Sequence, residues 1–392
     1  MDTIIVEIVK GIGSILMQPA LYVSMLIAII AGFSRIKWER KSFHVRVHSP
    51  WQELKGFFGL GIVFGAVISI IMVFVGFTLT IGWIAIFNVV LIVLLLVGLF
   101  RMASTAYTIG ITSLVYYAAY YFDWQLAPFE DRMLPIRDLY IDNFMIVIVF
   151  VLALLLAVEA FLIQFTGANQ ASPMLRKSGR GKWVGAFQLR RLWLLPLVCF
   201  IPGHGFAALF DWWPIFQIGN QTFSLMVLPI VIGFQQQVQS QLPAQATHKI
   251  AVRVTSLSIL IALLGVVSIV VPILSLLAFI VAIGGRFWIS YRHRNEEQNA
   301  AFKFTPQADG IMVLGARENT PASRMEILAG EVIMEVNGVA VMNREDLYEA
   351  LNENRAYCKL KVRDNNGEPR IVQTAIHEED SFELGLFMVE SK

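Results

Sequence analysis

Charge is scarce in this chain. Only 15% of its 392 residues are Asp, Glu, Lys or Arg, against about 25% in an ordinary soluble protein, while 56% are hydrophobic. With a mean hydropathy of +0.63, that balance excludes a purely soluble protein and describes a membrane one. Cysteine is scarce as well. Cys199 lies in an apolar run and Cys358 in a polar tail, so neither a disulfide framework nor a cysteine metal site is encoded. A net charge of +2 and the lack of a basic, aromatic-laced motif give no nucleic-acid partner. A cleavable leader is not expected either, because Glu7 precedes the first apolar run and no small-residue cleavage motif follows.

Catalytic constellations are missing too. A zinc protease needs His-Glu-x-x-His on a helix, so that two imidazoles one turn apart hold the metal beside a Glu base. The chain offers only His377-Glu378-Glu379-Asp380, without the second His, and has no Gly-x-Ser-x-Gly elbow for a serine nucleophile. Gly59 and Gly61 are followed by Phe64 where a nucleotide loop has its third glycine. Gly61 and Gly65 instead form a small-xxx-small spacing that lets a helix pack closely. The reading is a protein that is not an enzyme and has no cofactor or metal site.

What is present is long apolar runs. Stretches near the roughly 20 residues of a bilayer crossing fall at about 15–33, 57–77, 80–100, 102–122 and 143–165. Three more, at about 192–210, 221–234 and 250–285, are less clean: the second is short, and the third is long and broken by Pro272, as in a tight helical hairpin. Residues 3–14 carry Glu7 and Lys10 and suit the membrane surface. The expectation is an α-helical polytopic membrane domain of about eight spans over 1–285, a basic juxtamembrane linker over 286–300, and a small α+β domain over 301–392.

Loop charge sets orientation, because Lys and Arg stay on the cytoplasmic side. The loop 34–56 holds six Lys/Arg, among them Arg35, Lys37, Arg40, Lys41 and Arg46, against two Glu. The loop 166–191 holds Arg176, Lys177, Arg180, Lys182, Arg190 and Arg191 and no acid. Between them, 123–142 carries five acids and two arginines. Both basic loops belong inside, where they form a surface for anionic lipid worth about 1 kcal/mol per cation. After the last span, Phe287, Trp288 and Tyr291 suit an interfacial belt, and Arg286, Arg292 and Arg294 mark the inner face, which puts the tail in the cytoplasm.

Two polar residues inside the apolar runs are candidate sites. Glu159 in VLALLLAVEAFLIQF is either a proton or ion site or a helix–helix hydrogen-bonding group. His204 in CFIPGHGFAALF has no second His or acid at helical spacing, which favours a structural role in a kinked helix over ligation.

The tail reads as soluble structure. GIMVL (310–314) is strand-like, a Pro-led short helix follows, then a strand at 331–336 and an Asn337-Gly338 type I′ hairpin. Asn343 caps a helix on which Leu347 and Leu351 share a face. YCKLKVR alternates Cys358, Leu360 and Val362 inward, Asn366-Gly367 turns into RIVQTAI, and SFELGLFM is a last strand.

This order, with Gly310-Ile311-Met312-Val313, Thr320-Pro321-Ala322 and Ala329-Gly330-Glu331-Val332-Ile333 leading to Val336-Asn337-Gly338, resembles a PDZ domain of the bacterial, circularly permuted type, with Glu331 where that family usually has Asp. The resemblance implies an extended peptide added beside the helix at 343–353, with Phe302, Lys303 and Phe304 as the receiving strand and Arg344, Leu347, Tyr348 and Leu351 along the groove. No Gly-Leu-Gly-Phe-type carboxylate loop marks 302–304, so capture of a free C-terminus is left open.

The inner loop Arg35-Ile36-Lys37-Trp38-Glu39-Arg40-Lys41-Ser42-Phe43-His44-Val45-Arg46-Val47, ending in Gln52-Glu53-Leu54-Lys55, and the layout of many spans before one PDZ domain resemble the MinJ family of division-site topology proteins in Gram-positive rods. The resemblance implies a membrane adaptor at septum and poles that bridges a DivIVA-like polar scaffold to a MinD-like membrane ATPase. The alternative is a transporter or other membrane scaffold with a regulatory PDZ domain, for which the breaks at Pro202-Gly203 and Pro272 speak.

Overall fold

The computed structural model describes residues 2–43, 45–122, 141–169, 171–179, 181–207, 213, 222–353, 356–377, 380 and 384–389. The acidic stretch 123–140, Arg180, the pair Glu378-Glu379 and the side chain of His204 lie outside the described residues.

The chain begins with α1 (Asp2–Gly13), followed by α2 (Pro19–Phe43), the short α3 (Gln52–Phe57) running into α4 (Leu60–Val75), α5 (Ile81–Gly98), α6 (Thr105–Tyr121) and α7 (Ile141–Thr166). After a strand-rich segment come α8 (Pro243–Ser268) and α9 (Leu274–Asn299), with Pro272 in the turn between them. Six of these stretches are long and apolar enough to cross a membrane: α2, α3 with α4, α5, α7, α8 and α9. The basic juxtamembrane stretch expected over 286–300 is helical through Asn299, continuous with α9.

The larger departure concerns the runs at 192–210 and 221–234, expected as crossings and, around His204, as a kinked helix. Their described residues instead belong to β2 (Trp183–Ala207) and β3 (Thr222–Val238), an antiparallel hairpin extended at one end by β1 (Ser172–Lys177). Prolines explain why. Pro196, Pro202 and Pro229 would each remove a bond and clash inside a helix. In the ladder, Pro196 stands opposite Pro229, so two edge positions carry no N–H to satisfy.

A sheet edge among apolar helices needs every remaining donor and acceptor paired. On the β2 edge, Val198 N donates to Ser69 Oγ (2.9 Å), and that hydroxyl lies 3.1 Å from the Pro196 carbonyl. Phe200 N donates to Phe77 O (2.8 Å), and Leu79 N donates to Phe200 O (2.7 Å). On the β3 edge, Val227 N donates to Ser14 Oγ (3.0 Å), Gln18 Nε2 donates to Val227 O (2.6 Å), and Gly233 N donates to Ala103 O (2.8 Å). Gly61 and Gly65 do allow close packing, but against a strand: a Cβ on Gly61 would meet Leu194 O at 2.5 Å, and one on Gly65 would meet Pro196 N at 2.9 Å.

The terminal module is a sheet in the order β8-β7-β5-β4-β9, built from β4 (Ile311–Ala316), β5 (Val332–Val336), β7 (Tyr357–Arg363), β8 (Pro369–Ala375) and β9 (Leu386–Val389), with β6 (Val339–Ala340) off β5. Helices α10 (Pro321–Arg324) and α11 (Arg344–Glu353) belong to the same module. The turn residues sit as their types require, Asn337 at φ +51° and Gly338 at φ +89°. Asp346 N donates to Asn343 Oδ1 (2.8 Å) while Met342 N donates to Asp346 Oδ2 (2.9 Å), a reciprocal cap on α11.

Around β5, β4 and β9 both faces of this sheet are buried. One packs Ile311, Val313, Ile333 and Leu360 against Leu347 and Leu351 of α11. The other places Met312, Leu314, Val332, Phe387 and Val389 against Val47, Phe187 and Phe304, so the module sits on the first part of β2 and the segment after α2. Gly185 makes that contact possible: its N–H donates to Phe304 O (2.8 Å), and a Cβ there would lie 2.4 Å from Leu314.

Gly65→Leu is expected to destabilise the protein severely, because the obstructing atoms are the ring and backbone of Pro196 in β2, which cannot swing aside. Ser69→Ala is expected to cost about 1–3 kcal/mol by orphaning Val198 N. Thermal unfolding of the purified protein in detergent reads both, and wild-type stability in Gly65→Leu would contradict the packing of α4 on β2.

Candidate functional site: a cationic cleft at the module junction

The segment that carries Val47 to the sheet is fixed by a buried ion cluster. Arg35 reaches Glu39 Oε1 (3.3 Å), Glu53 Oε1 (3.0 Å) and the Ser49 carbonyl (2.8 Å). Glu39 in turn accepts from Val47 N (2.8 Å) and Ser172 Oγ (3.0 Å), which ties α2, the following turn and β1 together. Arg35 is therefore an interior strut and not part of a solvated basic face. His48 lies in the same turn. Burial pushes its imidazole down to about 4, helped by the charges of Arg35 and Arg191, and the carboxylate of exposed Glu318 at 3.7 Å does not offset them.

Above this strut, a cleft of about 690 Å³ opens between the end of α2, β1 and the terminal sheet. Its apolar walls include Phe43, Val45 and Leu175 on one side and Leu386, Phe387 and Met388 of β9 on the other, with Phe43 and Phe387 ring to ring at 5.1 Å. Its polar rim is cationic: Lys41, Arg176 and Lys177 come from the membrane block, Arg317 and Arg344 from the terminal module. Lys41 lies over Trp38 (5.7 Å), Lys177 over Trp183 (5.4 Å), and Arg344 over Tyr348 (5.5 Å), rings that hold the long side chains in place. None of Lys41, Arg176, Lys177 or Arg317 has a carboxylate at ion-pair distance among the described residues, and none of the described lining residues is acidic. Below the cleft, Arg176 and Gln237 also line a polar chamber of about 300 Å³ walled by Gln188, Gln235, Gln236 and Gln239.

The residues picked from sequence separate into four groups. Lys41, Arg176, Lys177 and Arg344 meet in the cleft, while Lys37, Arg40, Arg46 and Lys182 are exposed outside it. Leu347 and Leu351 belong to the module's core, and Tyr348 packs beside them. Phe302, Lys303 and Phe304 do not form the expected strand: Phe304 is fully buried against Phe187, and Lys303 N donates to Gln239 O (3.0 Å). The edge of the terminal sheet nearest the cleft is β9, and Arg317 joins the rim from the end of β4. Arg317 was missed because nothing in its sequence neighbourhood sets it apart.

Glu159 belongs to neither surface. It is fully buried, paired with Arg286 Nε (2.9 Å), and accepts from Ser104 Oγ (2.9 Å), Thr105 N (3.0 Å) and Thr105 Oγ1 (2.8 Å). The carboxylate thereby caps α6 and joins α6, α7 and α9, which is the helix-bonding alternative. Arg286, expected at the inner face, is 2% exposed, whereas Phe287, Trp288 and Tyr291 beside it point outward. Among the described residues no His/Cys/Asp/Glu group could hold a metal ion. Burial pushes the Cys358 thiol up to about 12, out of reach of thiolate chemistry.

No protein-family model matches the chain. It is 33% identical over 388 residues, 98% of its own length and 96% of the relative's, to the cell division topological determinant MinJ of Bacillus subtilis (strain 168). It is 22% identical over 380 residues, 94% of each chain, to probable cell division topological determinants MinJ of Lacticaseibacillus paracasei and Lacticaseibacillus casei (strain BD-II).

Two outcomes follow from the buried charges. Glu159→Leu or Arg286→Met alone should cost about 3–5 kcal/mol by stranding the partner, and the double variant should regain most of it. A double variant no more stable to heat than the worse single would show that the pair does not act as a unit. For His48, an unperturbed imidazole titrates near 6.5 and the folded one near 4, so the unfolded chain binds more protons between those values. Its contribution is fully present above pH 6.5 and is lost as pH falls toward 4. The thermal midpoint should drop more between pH 7 and pH 4.5 in wild type than in His48→Gln.

Proposed function

The chain belongs to the MinJ family of cell division topological determinants, and from that premise we propose that it is a non-enzymatic adaptor in division-site selection. In this reading it bridges a DivIVA-like polar scaffold to a MinD-like membrane ATPase at septum and poles. The helical block is a multi-pass anchor, the basic end faces the cytoplasm and anionic lipid, and the terminal module is a permuted PDZ domain that receives a partner's segment along β9. Leu384-Gly385-Leu386-Phe387 leads into that strand much as a carboxylate loop would.

The observation that carries this reading is relatedness along essentially the whole chain, membrane block and terminal module alike, to proteins whose names describe a division determinant and not a catalyst. The cationic cleft supports it, because it offers a docking surface at the junction of the two parts. The transporter reading loses support, since Pro202-Gly203 lies in strand β2 and Pro272 in the turn between α8 and α9, and neither breaks a helix, while the carboxylate of Glu159 is occupied by Arg286, Ser104 and Thr105.

A fluorescent fusion combined with gene deletion tests the proposal. Septal and polar fluorescence, with filaments or minicells on deletion, is the expected result. Uniform membrane fluorescence and normal cell length would remove the division role. Protease added to intact protoplasts should leave the terminal module uncut, and digestion from outside would reverse the proposed sidedness.

A further inference from the structure

We infer that the cleft between the membrane block and the terminal module binds an acidic, extended peptide segment, and that both walls must be present for it to do so. The inference deepens the adaptor reading and rests on it for the ligand being a protein segment.

Three observations converge. The rim carries five cations, Lys41, Arg176, Lys177, Arg317 and Arg344, with no acidic residue among the described lining, so its field selects anions. The floor is apolar, with Phe43, Leu175 and Phe387 in it, which asks for hydrophobic side chains between the acidic ones. Along one side runs β9, which among the described residues pairs with β4 alone and so presents a main-chain edge that an extended segment can extend. A lipid headgroup would use the cations and leave the edge and the apolar floor without partners. An alternating acidic and apolar strand uses all three.

The cations belong to two different parts of the chain. Lys41 sits on α2 and Lys177 on β1, whereas Arg317 and Arg344 sit on the terminal module. A segment seated between them gains from both sets only while the module is docked through the Phe43–Phe387 contact. The bound segment therefore clamps the module to the membrane block, and recognition reports the docked state.

The test uses the full chain in phosphatidylcholine nanodiscs and a fluorescein-labelled eight-residue peptide alternating Glu with Leu. Fluorescence anisotropy should show binding that weakens with salt, while a Lys/Leu peptide of the same length should not bind. Lys41→Glu and Lys177→Glu on one wall, and Arg317→Glu on the other, should each weaken binding about fivefold. Lys182→Glu, exposed and outside the cleft, should leave it unchanged and controls for folding. Binding that survives reversal of either wall would overturn the composite site. Absence of peptide binding, with phosphatidylglycerol instead retained by wild type and lost from Lys41→Glu/Lys177→Glu, would overturn it in favour of a lipid headgroup. A septally placed protein that fails to bind the peptide sinks the cleft alone, and a peptide-binding protein whose deletion leaves division normal sinks the division role alone.

Discussion

A β-hairpin embedded in a helical block must find partners for the backbone along its two edges, and that constraint organises the fold. Helices satisfy their own hydrogen bonds, so they can be arranged freely in an apolar setting, whereas a strand edge cannot. Here two facing prolines, the hydroxyls of Ser14 and Ser69, the amide of Gln18, and backbone from residues 77–79 and 103 meet part of that demand. Each helps fix one neighbouring element: α1 and α2 along β3, α4 and the 77–79 turn along β2, and the turn before α6 near the other end. The glycines of α4 then serve approach to a strand, which brings them within contact of its carbonyls.

The same hairpin carries the anchor's order outward. β2 begins with the residues that receive the terminal module, Gly185 and Phe187, and β1 beside it supplies Arg176 and Lys177 to the cleft. The Arg35–Glu39–Glu53 cluster holds the remaining wall by fixing the end of α2 and the turn after it. A buried cluster of this sort adds little net stability, but its geometry is demanding, and it sets where Lys41 and Phe43 stand.

Much of this was legible in the sequence, and what was not has a physical reason. Five helices and the α8–α9 hairpin follow from apolar length and from Pro272. The tail's strands follow from period-2 alternation, and its turns from Asn-Gly pairs. The embedded hairpin was missed because a strand covered on both faces is apolar without alternation, as a buried helix is. The prolines at 196 and 202 in one run and at 229 in the other were the available signal, since each disfavours a helix interior. Loop charge misled in one respect: Arg35 and Arg286 look like their basic neighbours in sequence, yet each sits beside a buried carboxylate contributed by another turn or helix. The cleft could not be read at all, because it joins residues 41, 176, 317 and 344, which only the fold brings together.

Helix α9 runs unbroken for 26 residues, about 39 Å, which exceeds the roughly 30 Å thickness of a hydrocarbon core. Near its end, Glu297 grips the exit of the hairpin, accepting from Gln239 N (2.7 Å), Ser240 N (2.9 Å) and Gln241 Nε2 (2.7 Å). The chain then returns at once to bond Gln239 through Lys303 N. The terminal module therefore hangs on no slack leash and sweeps no large volume in search of a companion. Whatever it holds is held against the helical block, so a companion must reach that block before the two can touch.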